Sequence, residues 1–130
     1  MILLDTHVLV WWVNGDHHRL SETARNVLES REQTTLVSAI SCWEVAMLVQ
    51  RGRIGLSMDV EHWVSLLQSV PQLRLIPLNP SVAVAATRLP DPFHPDPADR
   101  FLVAQARELN IPLVTADSKI RAYPHVRSLW

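Results

Sequence analysis

The chain has 130 residues, 48% of them hydrophobic, and a formal net charge of -1 at pH 7. That length and apolar share suit one folded domain over residues 1–130 with a sizeable core, and they argue against disorder. The near-neutral charge excludes the strongly basic footprint of a passive binder of long duplexes, and the lone Cys42 excludes an internal disulfide and suits a reducing compartment.

The start, Met1-Ile2-Leu3-Leu4-Asp5, lacks a basic region and reaches an acid within the first turn's length, so no targeting segment is expected. The longest wholly apolar run is Val8 to Val13, far below the ~18 residues of a membrane span. A cytoplasmic protein with no membrane association is the expectation.

Ile2-Leu3-Leu4 reads as a short buried strand, with a helix over Thr6 to Val13 directly after it. Ser21 is placed to cap the next helix, which carries Ala24, Val27 and Leu28 on one face. Thr35 to Ser38 is a second strand. A helix is expected from about Ser41 to Gln50, stopped by Arg51-Gly52-Arg53. Asp59 to Ser69 reads as an amphipathic helix with Val60, Trp63, Leu66 and Leu67 on its apolar side. Leu73 to Pro77 is a third strand and Ser81 to Arg88 a short helix.

A proline-rich loop, Pro90 to Pro97, leads into a helix ending near Leu109, with Asp96 suited to its N-cap and Pro97 to its first position. Pro112 to Thr115 is a fourth strand, and His125 to Ser128 a fifth. Strands separated by helical stretches specify βαβ units: an α/β fold of three α/β/α layers around a mostly parallel sheet of four or five strands.

Parallel sheets build their sites at the carboxyl ends of strands. Asp5 ends the first strand, and Glu44 lies near the start of the helix after the second. Asp99 lies near the start of the helix after the proline-rich loop, and Asp117 follows the fourth strand. Four acids from distant parts of the chain thus approach one sheet edge. Gathered there they repel one another unless a cation compensates. Oxygen ligands with open positions suit Mg²⁺ or Mn²⁺, and such a site suits phosphodiester hydrolysis.

Each acid also has a purely structural reading. Asp5 and Asp117 stand where N-caps stand, and Asp99 complements a helix dipole. Ser41-Cys42-Trp43-Glu44 matches a capping box, which would fold Glu44 back onto its own helix and away from a metal. Asp96 is read as a cap only. His17 and His18 sit in a polar loop with no Cys–His spacing, so no zinc site is expected. His7 and His94 could lie near the site, with a surface or packing role as the first reading. The tryptophans are read mainly as core, with one of Trp11 and Trp12 exposed. Thr6 and Thr115 stand beside acids and could orient them. Arg51, Arg53, Arg100, Lys119 and Arg121 are candidate RNA contacts.

The chain resembles the PIN-domain family, and within it the VapC-type toxins of bacterial toxin–antitoxin pairs. The resemblance rests on Leu3-Leu4-Asp5-Thr6-His7, Val37 to Ser41 leading to Trp43-Glu44, Asp96-Pro97-Ala98-Asp99-Arg100 leading to Ala104-Gln105-Ala106, and Leu113 to Ser118, in that order. It implies a PIN fold and a Mg²⁺- or Mn²⁺-dependent endoribonuclease. It implies a cognate VapB-like antitoxin as partner and a homodimer. It places acidic metal-site residues at Asp5, Glu44, Asp99 and Asp117, with Asp5 and Asp99 the most direct ligands. Two rival readings are a haloacid-dehalogenase-like phosphohydrolase with Asp5 as nucleophile, although His7 stands where that family wants a second aspartate, and a non-catalytic PIN-fold interaction module.

Overall fold

Strand β1 (Ile2–Leu4) lies at the centre of the sheet, paired in parallel with β2 (Thr35–Ser38) on one side and β4 (Leu113–Val114) on the other. Strand β3 (Leu73–Ile76) extends the sheet beyond β2, and β5 (Ser128–Leu129) beyond β4. The order is β3-β2-β1-β4-β5 and every pairing is parallel. The computed structural model describes residues 1–130.

Parallel strands need crossovers, and seven helices supply them: α1 (Thr6–Val13), α2 (Glu22–Glu29), α3 (Ala39–Gln50), α4 (Val60–Leu67), α5 (Pro80–Ala85), α6 (Pro97–Leu109) and α7 (Ser118–Ala122). Side chains alternate across the central strand, so β1 feeds two cores. Ile2 and Leu4 join Val8, Leu28, Trp63 and Leu67 under the first layer of helices. Leu3 joins Val82, Leu102 and Ile120 under the second. This is the three-layer α/β/α architecture expected from the alternation of elements. No helix is long and apolar enough to cross a membrane.

Several boundaries differ from expectation for local reasons. Helix α3 starts at Ala39 because Ser38 is its cap, the Ser38 hydroxyl accepting the Ile40 N–H at 3.2 Å. Ser41 is therefore inside the helix and buried, its Oγ accepting a hydrogen bond from Thr6 Oγ1 at 3.0 Å. The capping box at Ser41–Glu44 does not form. Helix α5 covers Pro80–Ala85 rather than Ser81–Arg88, with the Asn79 side chain accepting the Val82 N–H at 3.0 Å. The last strand pairs through Ser128 and Leu129 instead of His125 to Ser128. Trp63 alone among the tryptophans is core; Trp11 and Trp12 are both half-buried, and the exposed one is Trp43, at 51%.

Arg100, expected to meet RNA, instead straps the proline-rich loop onto α6. Its Nε donates to the Ala86 carbonyl at 2.8 Å, and Nη1 donates to the carbonyls of Phe93 (3.2 Å) and His94 (3.3 Å). Charged donors to otherwise unpaired carbonyls are worth ~1.5–3 kcal/mol together with the geometry they hold. Arg100→Ala is expected to lower unfolding free energy by about 2 kcal/mol in a denaturant titration, whereas Arg51→Ala, at an exposed position, should stay within about 0.5 kcal/mol of the parent.

Candidate active site

Asp5 leaves the end of β1 as the N-cap of α1 and is only 5% exposed. Both of its oxygens are held. Oδ1 accepts the Thr6 N–H at 2.7 Å, and Oδ2 accepts the Thr115 hydroxyl at 2.6 Å. Thr115 follows β4, and its Oγ1 in turn accepts the Asp117 N–H at 3.0 Å. One threonine thus ties the carboxyl end of β1 to the segment that carries Asp117. Thr6 ties α1 to α3 by donating its hydroxyl proton to Ser41. The Thr115 hydroxyl orients an acid as expected, whereas Thr6 holds Asp5 through its backbone N–H.

Glu44 lies in the second turn of α3 and is half-buried. Asp99 lies in the first turn of α6 and is 9% exposed. Asp117 caps α7, its Oδ1 accepting the N–H groups of Lys119 (2.8 Å) and Ile120 (3.0 Å). Oδ2 takes no part in that cap, so Asp117 satisfies its structural reading without closing off the other. Asp96 has the position of an N-cap but makes no capping hydrogen bond, so the reading of Asp96 as a cap alone is corrected. Its exposed carboxylate lines the same cleft as the other acids.

That cleft has a volume of about 360 Å³ and collects Asp5, Glu44, Asp96, Asp99 and Asp117, with His7, Trp11 and Ala116 completing the wall. No lysine or arginine lines it. All four acids expected from the sequence meet there, and a fifth joins them. The closest group of potential ligand atoms belongs to His94, Asp99 and Asp117, which lie within 4.8 Å of one another. His94 Nε2 is 3.1 Å from Asp99 Oδ2, yet out of line for a hydrogen bond, and this buried nitrogen has no other partner. His94 thus borders the site through Asp99 while its ring packs on Phe93. The signal for it in the sequence was only its place in the loop before Asp96. His7, exposed, stands at the cleft wall.

The electrostatics follow from burial and crowding. Asp99 is pushed up to about 8, first by burial and then by Asp5, Asp96, Asp117 and Glu44 around it. Burial also raises Asp5, against the lowering effects of the Thr115 hydroxyl, His7 and the Thr6 N–H. Glu44 is raised by burial and by Asp5 and Asp96, while Thr6 and His7 work the other way. Such a set costs free energy to ionise in the folded chain. The donor chemistry fits a hard divalent cation: carboxylate oxygens from separate elements, one imidazole nitrogen without a partner, and no cationic side chain in competition. Of the residues assigned to RNA, Arg51, Arg53 and Arg121 are exposed away from the cleft wall, and Lys119 borders a neighbouring hollow.

Known proteins share both the sequence and the shape. The family model of the PIN domain matches residues 2–126. Ribonuclease VapC22 of Mycobacterium tuberculosis is 40% identical over 131 aligned positions, covering 99% of this chain and 98% of that protein. VapBC2 from Rickettsia felis, solved bound to a DNA fragment from its promoter, superposes with a TM-score of 0.71 at 19% identity over 99% of this chain and 98% of that one. Mycobacterium tuberculosis VapC20, described as a sarcin-ricin loop cleaving toxin, superposes with a TM-score of 0.67 at 16% identity, covering 98% and 99%. At such identities the two structures speak for the fold, while the family model and the 40% relative speak for descent. The chain belongs to the PIN domain family, in its VapC group.

Proposed function

We propose that this protein is a metal-dependent endoribonuclease toxin, working in the cytoplasm and silenced by a cognate VapB-like antitoxin. The observation that carries the proposal is the convergence of five carboxylates in one cleft at the carboxyl end of a parallel sheet, with no lysine or arginine beside them. The 40% identity to a ribonuclease named VapC22 supports RNA as the substrate. Membership of the PIN domain family leaves the haloacid-dehalogenase reading of Asp5 without support.

Asp5 and Asp99 would hold Mg²⁺ or Mn²⁺ directly, and Glu44 and Asp117 would complete the ligand set, with His94 beside Asp99. When bound, the cation supplies Lewis acidity toward water and toward the phosphodiester. The protein's own contribution is preorganisation and proton handling. Thr6 and Thr115 fix the Asp5 carboxylate before any ligand arrives, so no reorientation is needed on binding. Glu44, half-buried and raised from its ordinary value by burial and by its acidic neighbours, is suited to accept the proton of the attacking water. The acids alone repel RNA, so substrate affinity depends on the cation. An antitoxin that inserts a basic side chain among the same acids neutralises them as the cation does and blocks the cleft. The homodimer that the family resemblance implies would cover Trp43, the exposed tryptophan of α3.

Asp5→Asn and Asp99→Asn should each lower cleavage of a cellular RNA pool by at least about a thousandfold while leaving the circular-dichroism spectrum intact, and EDTA should have the same effect on the parent. Undiminished cutting by Asp5→Asn sinks the mechanism. An antitoxin-free parent that cuts nothing in Mg²⁺ or Mn²⁺ favours the non-catalytic module.

The raised carboxylates also set a pH dependence. In the cation-free protein Asp5, Glu44 and Asp99 bind protons more tightly than they do in the unfolded chain. The folded state then holds more protons, and stability falls as pH rises from about 4 to about 8. Thermal melts across that range should show the decline, Asp99→Asn should flatten it, and Mn²⁺ at pH 8 should restore the lost melting temperature. In light-scattering measurements Trp43→Ser should shift the homodimer toward monomer.

A further inference from the structure

Beside the acidic cleft lies a second hollow of about 530 Å³, within the roughly 300–1,000 Å³ of small-ligand sites. Its walls are made by the proline-rich loop and by α7 with the residues after it. Phe93, half-buried, presents its ring to the hollow; Tyr123, only 4% exposed, backs it with ring centroids 4.5 Å apart, and the His94 ring packs on Phe93 at the same distance. Pro92 and Pro124 also line it, and Lys119 is the only lysine or arginine that does. No carboxylate lines it. Two features connect it with the acids. His94 belongs to its wall and reaches Asp99 at 3.1 Å on the other side. Helix α7 begins with Asp117 in the cleft and carries Lys119 into the hollow two positions later.

We propose that this hollow is a nucleobase subsite, taking one unpaired base of an RNA next to the phosphate that enters the acidic cleft. The inference rests on the nuclease reading for that phosphate, and on its own geometry for the base. An aromatic and proline-walled hollow offers a flat ring stacking and dispersion contact, and a single ammonium at the rim offers the adjoining phosphate its counter-charge. The cleft itself is acidic and lined by no lysine or arginine, so a phosphate entering it gains from a cationic side chain close by. The walls are already rigid. The Tyr123 hydroxyl donates to the Pro90 carbonyl at 2.6 Å, and Arg100 holds the carbonyls of Phe93 and His94. With the one phenolic proton engaged, the hollow recognises a base through its faces more than through its hydrogen-bonding edge. A base inside a duplex cannot enter, so loops and single strands are the substrates selected.

The test has two arms. In the first, a fluorescently labelled single-stranded oligoribonucleotide is titrated with the protein in Ca²⁺ in place of Mg²⁺, with a gel to show the strand uncut, and anisotropy reads binding without cleavage. Phe93→Leu, which keeps apolar volume, and Lys119→Gln, at an exposed position that does not endanger folding, should each weaken binding about tenfold or more. Binding unchanged in both overturns the subsite and leaves the hollow to a protein partner. In the second arm, with metal, one abasic nucleotide is walked along the substrate. A single position next to the cut should lower kcat/KM about tenfold for the parent, and the same abasic substrate should cost the Phe93→Leu variant little more than Phe93→Leu costs by itself. Losses that multiply independently overturn the proposal. A parent that binds the oligoribonucleotide and cuts none refutes the nuclease reading, and the anisotropy arm still decides the subsite.

Discussion

Mutual repulsion among buried carboxylates is the constraint on which the rest of this molecule depends. The sheet order places β1 between β2 and β4, so the chain leaves the centre of the sheet in both directions, and that switch point opens a crevice at the carboxyl ends. Asp5, Glu44, Asp99 and Asp117 arrive there from four different elements. The placing of Asp5, Glu44 and Asp99 costs free energy, since burial and like charges both favour the neutral acid. The two apolar cores, one on each face of the sheet, must hold the acids together against that tendency. A cleft so arranged is strained in the absence of positive charge and relaxed in its presence, which makes cation affinity a consequence of the fold.

Hydroxyl groups distribute the load. Thr115 is buried with its proton on Asp5 and its oxygen receiving the Asp117 N–H, so one side chain serves β1, β4 and α7 together. Thr6 gives its backbone N–H to Asp5 and its hydroxyl to Ser41. These neutral donors lower the cost of a buried carboxylate without occupying it the way a salt bridge would, because each carboxylate oxygen keeps further lone-pair capacity. Arg100 works at one remove. By holding two carbonyls of the proline-rich loop it keeps His94 against Asp99. Replacing that arginine would alter the site through the loop, with no direct contact to the acids.

Much of this was legible in the sequence, and the misses have physical causes. The five parallel strands and the four acids followed from the alternation of apolar segments with helical periods, a signal carried by whole elements. Local capping was less legible, because Ser38 and Ser41 are equally good caps on paper. Only the extended backbone of Ser38 at the end of β2 decides between them, and that is set by strand pairing with β1 and β3. Moving the helix start to Ala39 releases Glu44 from its supposed capping box and turns it toward the cleft. Asp96 was misread in the opposite sense: it has the cap position, but its carboxylate makes no bond to α6. The contacts of His94 with Asp99 and of Arg100 with Ala86, Phe93 and His94 depend on how the proline-rich loop folds, and no spacing rule encodes them. Trp43 was hidden among tryptophans that looked like core.

The near-neutral net charge then takes on a different meaning. A chain with 12 basic and 13 acidic side chains is not a charge-driven RNA binder, and five of its acids sit in the one cleft where a phosphodiester would have to enter. In the cation-free state the cleft repels RNA; with a divalent ion it attracts. Affinity for the polyanion is thereby made conditional on the same event that makes hydrolysis possible, so substrate is not held unproductively. Whatever else carries positive charge into the cleft, a basic side chain of a protein partner included, satisfies the acids equally well without supplying Lewis acidity. Inhibition and activation are then competing solutions to one electrostatic problem, and the strength of each is set by how tightly the two cores press the carboxylates together.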